Sequence, residues 1–171
     1  VVTVTNTTTG VSTTAATVAP TAPATHASYQ TRANFAHTAG QSVSLRVEAD
    51  GKIVTGSATK TPSQPYTSVS PSSGAVTRPF TLSWTVTSTT EAATHTWVTI
   101  YHASDSSKSY QVVVPISQTS VQITSQEIGP GSYTVGVYGI NSMSLSGAKD
   151  GSIVYVGSEA AGQFSGTITV N

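Results

Sequence analysis

The alternation of apolar and polar residues is clearest between Phe80 and Asn141. Phe80, Leu82, Trp84 and Val86 fall on one parity, and Thr81, Ser83, Thr85 and Thr87 on the other. Successive side chains of a strand point to opposite faces, so this is a half-buried strand with one dry side. Trp84 on that side is a core residue. Trp97-Val-Thr-Ile-Tyr101 predicts a second strand. Tyr133-Thr-Val135-Gly-Val137 predicts a third, entered through the turn Gly129-Pro130-Gly131. A Pro-Gly turn just ahead of Tyr-x-Val-x-Val is where sandwich folds place a tyrosine corner, with Tyr133 as the corner residue.

The earlier part of the chain carries the same period more weakly. Val1-Val2-Thr3-Val4-Thr5 is short, alternating and β-branched, and predicts a strand. A weakly apolar run, Val11 to Val18, follows. Ala19 to Thr25 is a Pro/Thr/Ala connector, expected to be extended. Tyr29 to Ala36 alternates again. Val43, Leu45 and Val47 oppose Ser44, Arg46 and Glu48, and Asp50-Gly51 turns the chain into Lys52-Ile53-Val54. Asp-Gly between apolar arms is the composition of a tight hairpin turn. Prolines 62, 65, 71 and 79 make Thr61 to Arg78 read as linker or sheet edge. The expected organisation is therefore an N-terminal strand with its connector (1–25), a β-hairpin segment (26–65) and a larger β segment (66–171).

Those residues carry a resemblance. Leu82-Ser-Trp84, Val121-Gln-Ile123 and Gly129-Pro-Gly-Ser-Tyr133-Thr-Val135-Gly-Val137-Tyr-Gly-Ile-Asn141 resemble the second strand, the strand before the corner and the corner strand of a fibronectin type III or immunoglobulin-like domain. The likeness spans about residues 66–171 and implies an all-β, antiparallel sandwich preceded by a smaller strand-rich segment. It implies no single function, because this architecture hosts many unrelated roles. Ser142 to Gly162 departs from the pattern. It is longer than a typical last hairpin and has its own apolar run, Ile153 to Val156, so an extra strand or a different strand order is expected there.

Composition narrows the function classes. The 171 residues suffice for one large domain or two small ones. Net charge is +0 and 8% of residues are charged, so there is no Lys/Arg stripe for phosphate contacts, and nucleic acid is not an expected partner. No run of 18 apolar residues is present, so no membrane span is expected. Absence of Cys excludes disulfides, thiol catalysis and Cys-based metal sites. The 30 Thr and 26 Ser, with few Lys and Glu, favour strands over helices and suggest an extracellular or cell-surface protein. The opening at Val1, without Met or leader, fits a processed or excised segment.

Candidate chemistry is sparse. Asn6-Thr7-Thr8 is a glycosylation sequon or an ordinary polar turn. With Val98 and Ile100 facing the core, Trp97 and Tyr101 share the opposite face, as packing residues, as a contact between subunits or as a platform for a sugar ring. His26, His37, His95 and His102 lack the spacing of a zinc site. The seven carboxylates sit mostly in turn-forming contexts; a glycosidase needs two facing each other across a cleft, and a calcium loop needs a denser oxygen cluster. No nucleophile elbow, phosphate-binding loop or zinc-protease motif occurs. No enzyme activity, metal or cofactor is expected.

The N-terminal 65 residues are too polar and too few to bury a strong core alone. Either they complete one sandwich with the rest, or they form a partial sheet that needs a strand from elsewhere. Val1, Val2, Thr3, Val4 and Thr5 are then the segment to donate, and head-to-tail donation builds a homopolymeric filament. The expectation is a non-enzymatic structural or adhesive protein that self-associates. The alternatives are a glycan-binding or spacer module of a secreted enzyme, or an immunoglobulin-like decoration domain of a virus particle.

Overall fold

The structure is a computed structural model that describes residues 1–18, 28–30, 38–58, 62, 66–150, 152–157 and 164–171. It is all-β. Its strands are β1 (Val2–Asn6), β2 (Val11–Val18), β3 (Ser28–Gln30), β4 (Val43–Ala49), β5 (Lys52–Ala58), β6 (Tyr66–Ser70), β7 (Ser73–Val76), β8 (Phe80–Val86), β9 (His95–His102), β10 (Tyr110–Pro115), β11 (Ser120–Ile123), β12 (Gly131–Ser146), β13 (Val154–Gly157) and β14 (Phe164–Val170). A single 3-10 turn, Ser106–Lys108, is the helical piece among the described residues.

The chain divides into two units. Unit 1 comprises Val1–Thr61 and Ser142–Val156; unit 2 comprises Pro62–Asn141 and Gly157–Asn171. The change of unit at residues 61–62 lies near the division expected at 65–66, and residues 142–156 group with the N-terminal residues.

In unit 1, β1 lies between β2 and β4. Val2 pairs with Ala15 and Val47, and Asn6 with Val11 and Val43. The β4–β5 hairpin closes at Asp50 and Gly51, whose φ values of +51° and +72° put both turn residues in the left-handed region. That backbone matches the right-handed twist of the flanking strands and suits Gly at the second position. Ser144–Ser146 of β12 then add to the far side of β5, Leu145 opposite Gly56. The apolar parity of these strands meets in one small core: Val43, Ala58 and Met143, with Leu45, Leu145, Val154 and Val156 packed against it. A side chain at position 56 would meet Leu145 Cδ2 at 2.8 Å, so glycine there lets the two strands' apolar residues close up.

Unit 2 has two sheets around one core, an arrangement of the β-sandwich kind. The smaller sheet has the order β11-β8-β6. In the larger, β10 pairs β9, β9 pairs the Gly131–Asn141 part of β12, and β12 pairs β14, all antiparallel; β14 pairs β7 in parallel. Leu82 and Trp84 from β8, Val98 and Ile100 from β9, and Tyr133, Val135 and Val137 from β12 are buried together with Ile123, Ile168 and Val170. Arg78 anchors one end of the unit, donating from Nε to the Asn171 carbonyl at 3.1 Å and from Nη1 to the Ile128 carbonyl at 3.0 Å.

Thr61 to Arg78, read as linker or sheet edge, contains two edge strands: β6 ends the order β11-β8-β6 and buries Tyr66 and Val69, and β7 pairs with β14. Pro71 and Pro79 punctuate between strands rather than within them. The connector Ala19–Thr25 and the later part of the expected strand Tyr29–Ala36 lie outside the described residues; Tyr29 and Gln30 belong to β3.

Candidate binding face

The outward face of the larger sheet in unit 2 follows from the parity of β9. Val98 and Ile100 are fully buried, so Trp97, Thr99 and Tyr101 point the other way. On β12 the core takes Tyr133, Val135 and Val137, leaving Ser132, Thr134, Gly136 and Tyr138 outward. Register then sets the neighbours. Trp97 lies opposite Val113 on one side and Tyr138 on the other; Thr99 lies between Gln111 and Gly136; Tyr101 is opposite Thr134, which is opposite Thr167.

Trp97 and Tyr138 touch. Their ring centroids are 5.4 Å apart at 40°, within the range of favourable offset or tilted aromatic pairs. The Tyr138 ring leans along its strand across Gly136. A Cβ at position 136 would stand 2.5 Å from both Cε2 and the hydroxyl of Tyr138 and 2.7 Å from Thr99 Oγ1. Thr99 is consequently buried although it faces outward, and its hydroxyl donates to the Gly136 carbonyl at 3.5 Å. Tyr101, with 38% of its surface exposed, continues the same side of β9. The two aromatics singled out from the sequence are thus joined by a third, Tyr138. It was legible in principle: the even positions of β12 form a face of their own, and Tyr138 stands two residues after the one glycine on it.

The remaining candidates lie apart. Tyr133 is fully buried, and its hydroxyl donates to the Gly129 carbonyl at 2.9 Å, tying the strand back to the turn before it. His102 meets its ring edge-on at 5.0 Å. His95 points outward with Nδ1 2.9 Å from Thr94 Oγ1, so the two histidines of β9 stand on opposite faces. His26 and His37 lie outside the described residues. Val2, Thr3, Val4 and Thr5, the candidate donated strand with Val1, are paired within their own chain on both sides.

Asn6, the candidate for glycosylation, closes β1. It is fully buried, its Nδ2 donates to Gln41 Oε1 at 2.8 Å, and its Oδ1 accepts from the backbone N–H groups of Thr8 and Thr9 at 3.1 and 3.2 Å. The nitrogen a glycan would use is engaged inside the folded unit.

The polar chemistry elsewhere shapes loops. Asp105 accepts from the backbone and hydroxyl of Ser107 and from Lys108, and the Ser107 bonds hold its carboxyl below the usual range. Glu127 is likewise lowered by bonds from the hydroxyl and backbone of Thr124. Burial raises the Tyr66 phenol, against a lowering hydrogen bond with Thr96. No family model, curated protein or solved structure matches the chain.

Proposed function

We propose that the chain is a non-enzymatic structural module of an extracellular or cell-surface assembly. Unit 2 is read as an immunoglobulin or fibronectin type III relative. Support comes from the β11-β8-β6 order facing a sheet that carries β10, β9, β12 and β14, from β7 running parallel to β14, from Trp84 in the core, and from the Tyr133–Gly129 bond. The low charge and abundant Ser and Thr support a surface that packs against neighbours with little repulsion.

The observation that carries the reading is strand complementation in unit 1. Among the described residues, the Ser142–Val156 stretch supplies the strand beside β5, and Met143, Leu145, Val154 and Val156 join Val43, Leu45 and Ala58 in one core. Main-chain pairing of this sort supplies affinity whether the added strand comes from the same chain or another. The segment proposed to pass between copies is β1. It fills the place between β2 and β4 and joins β2 through the Thr7–Gly10 turn. Opening that turn and seating β1 in the next copy keeps every native pair, and repeated head to tail it gives a filament.

Deleting residues 1–5 removes a central strand, so loss of assembly would not separate donation from unfolding. Cysteines at paired positions do. Thr3 is opposite Arg46, and facing residues of an antiparallel pair are within disulfide reach. Thr3→Cys with Arg46→Cys, oxidised after assembly, gives a ladder of linked chains under exchange. Monomeric chains, each closed by its own disulfide and showing no filaments by negative-stain microscopy, would sink the filament reading.

A further inference from the structure

We infer that the outward face of the β10-β9-β12-β14 sheet binds a neutral polysaccharide, with Trp97, Tyr138 and Tyr101 as its stacking surface. The proposal stands on different residues from strand exchange and does not depend on it.

The face is aromatic, and His95 is the one titratable side chain besides the tyrosines among the described outward residues of these strands. Trp97 and Tyr138 are partly exposed and packed on each other at 5.4 Å, and Tyr101 is 38% exposed on the same side of β9. The four-residue step from Trp97 to Tyr101 covers about 13 Å of strand, the length of a short run of sugar rings rather than one. The apolar C–H side of a pyranose fits a ring face, and aromatic walls with a few placed polar groups are the usual makeup of small-ligand sites. Tyr138 lies across Gly136 and packs against Trp97, so less ordering cost falls on binding.

Polar partners for sugar hydroxyls surround the rings. Gln111, Ser132, Thr134, Thr167 and Thr169 are exposed and neutral. None of the outward residues described on these strands is Asp, Glu, Lys or Arg. A face of this kind offers nothing to phosphate or carboxylate groups, which favours an uncharged glycan.

The test is native gel electrophoresis of the full chain through gels cast with xylan, glucomannan or hydroxyethylcellulose, with alginate as the acidic control, and depletion by insoluble cellulose and chitin. The expected result is retardation or depletion by at least one neutral glycan and not by alginate. Tyr101→Ala, at the most exposed of the three rings, should weaken that binding about tenfold, and Trp97→Ala should abolish it. The proposal is overturned by no binding to any neutral glycan, by binding to alginate alone, or by equal binding of the parent and Tyr101→Ala. It is also overturned if sedimentation shows a dimer that Tyr101→Ala dissociates, since the face then receives a second copy of the chain.

Discussion

Unit 1 owes its core to residues 142–156, and removing them gives the sharpest test of the architecture. The perturbation is replacement of Ser142–Val156 by a short Gly-Asn-Gly turn. Gly139 and Gly157 are neighbours, the Gly139 carbonyl lying 3.2 Å from where a Gly157 Cβ would stand, so a short turn spans the cut. Of the apolar side chains in the unit 1 cluster, Met143, Leu145, Val154 and Val156 are lost, leaving Val43, Leu45 and Ala58. Full burial of such a side chain stabilises by about 1.5–3 kcal/mol. Met143 is nearly fully buried and the other three partly so, which puts the loss at about 4–6 kcal/mol before the lost β5 pairing is counted. That matches the total stability of many small domains, about 5–15 kcal/mol. Residues 1–61 should therefore unfold while unit 2 keeps its structure. Hydrogen exchange by mass spectrometry reads both at once. The expected result is loss of amide protection across β1, β4 and β5 and retained protection across β8, β9 and β14. Parent-like protection of β4 and β5 would refute the reasoning, because those strands would then be holding together without the side chains assigned as their core.

Three further outcomes are expected. Tyr133→Phe removes the bond to the Gly129 carbonyl without opening a cavity, costing about 1 kcal/mol, which lowers the unit 2 melting midpoint by about 4–8 °C in a calorimetric scan; an unchanged midpoint would show that the bond is not stabilising. Asn6→Ala leaves the N–H groups of Thr8 and Thr9 without their acceptor and removes one of the two donors to Gln41 Oε1, that of Thr38 remaining, and should destabilise unit 1 by about 1–2 kcal/mol in urea titration. Glu127 has its pKa lowered by Thr124, so its stabilising effect is present above the ordinary value of 4.5 and is lost as pH falls through the lowered folded value; Glu127→Gln should flatten that acid-side part of the stability–pH curve, and an unaltered curve would count against it.

Much of unit 2 was legible because its strands keep one dry face. Phe80 to Val86 and Tyr133 to Val137 alternate cleanly, and the structure buries the parity that the pattern marks. Side-chain period does not encode which strand lies alongside. Tyr66 and Val69 were hidden among prolines, whose effect on the backbone is stronger than two apolar residues' signal in a short edge strand. Asn6 matched a sequon by residue type, while its burial depends on Gln41, far away in sequence. Trp97 and Tyr101 were visible as a pair on one face, but their neighbour Tyr138 comes from another strand, and only register brings it in.

The unit boundary inside β12 shows the limit most clearly. Tyr133, Val135 and Val137 share their parity with Met143 and Leu145, with Gly139 and Asn141 between them on that parity. The first three residues enter the core of unit 2 and the last two that of unit 1. What changes between Asn141 and Ser142 is the set of neighbouring strands: β9 flanks β12 up to Ile140, and β5 flanks it from Ser144. A period of two is blind to that change, because the strand only has to keep one side dry, whichever sheet covers it. From the apolar run Ile153 to Val156, an extra strand or a different strand order is expected in the stretch Ser142 to Gly162. In the structure Met143 and Leu145 of β12, with Val154 and Val156, pack against Val43, Leu45 and Ala58, so the partner of β12 there comes from residues about ninety positions earlier, a distance at which a local period carries no information.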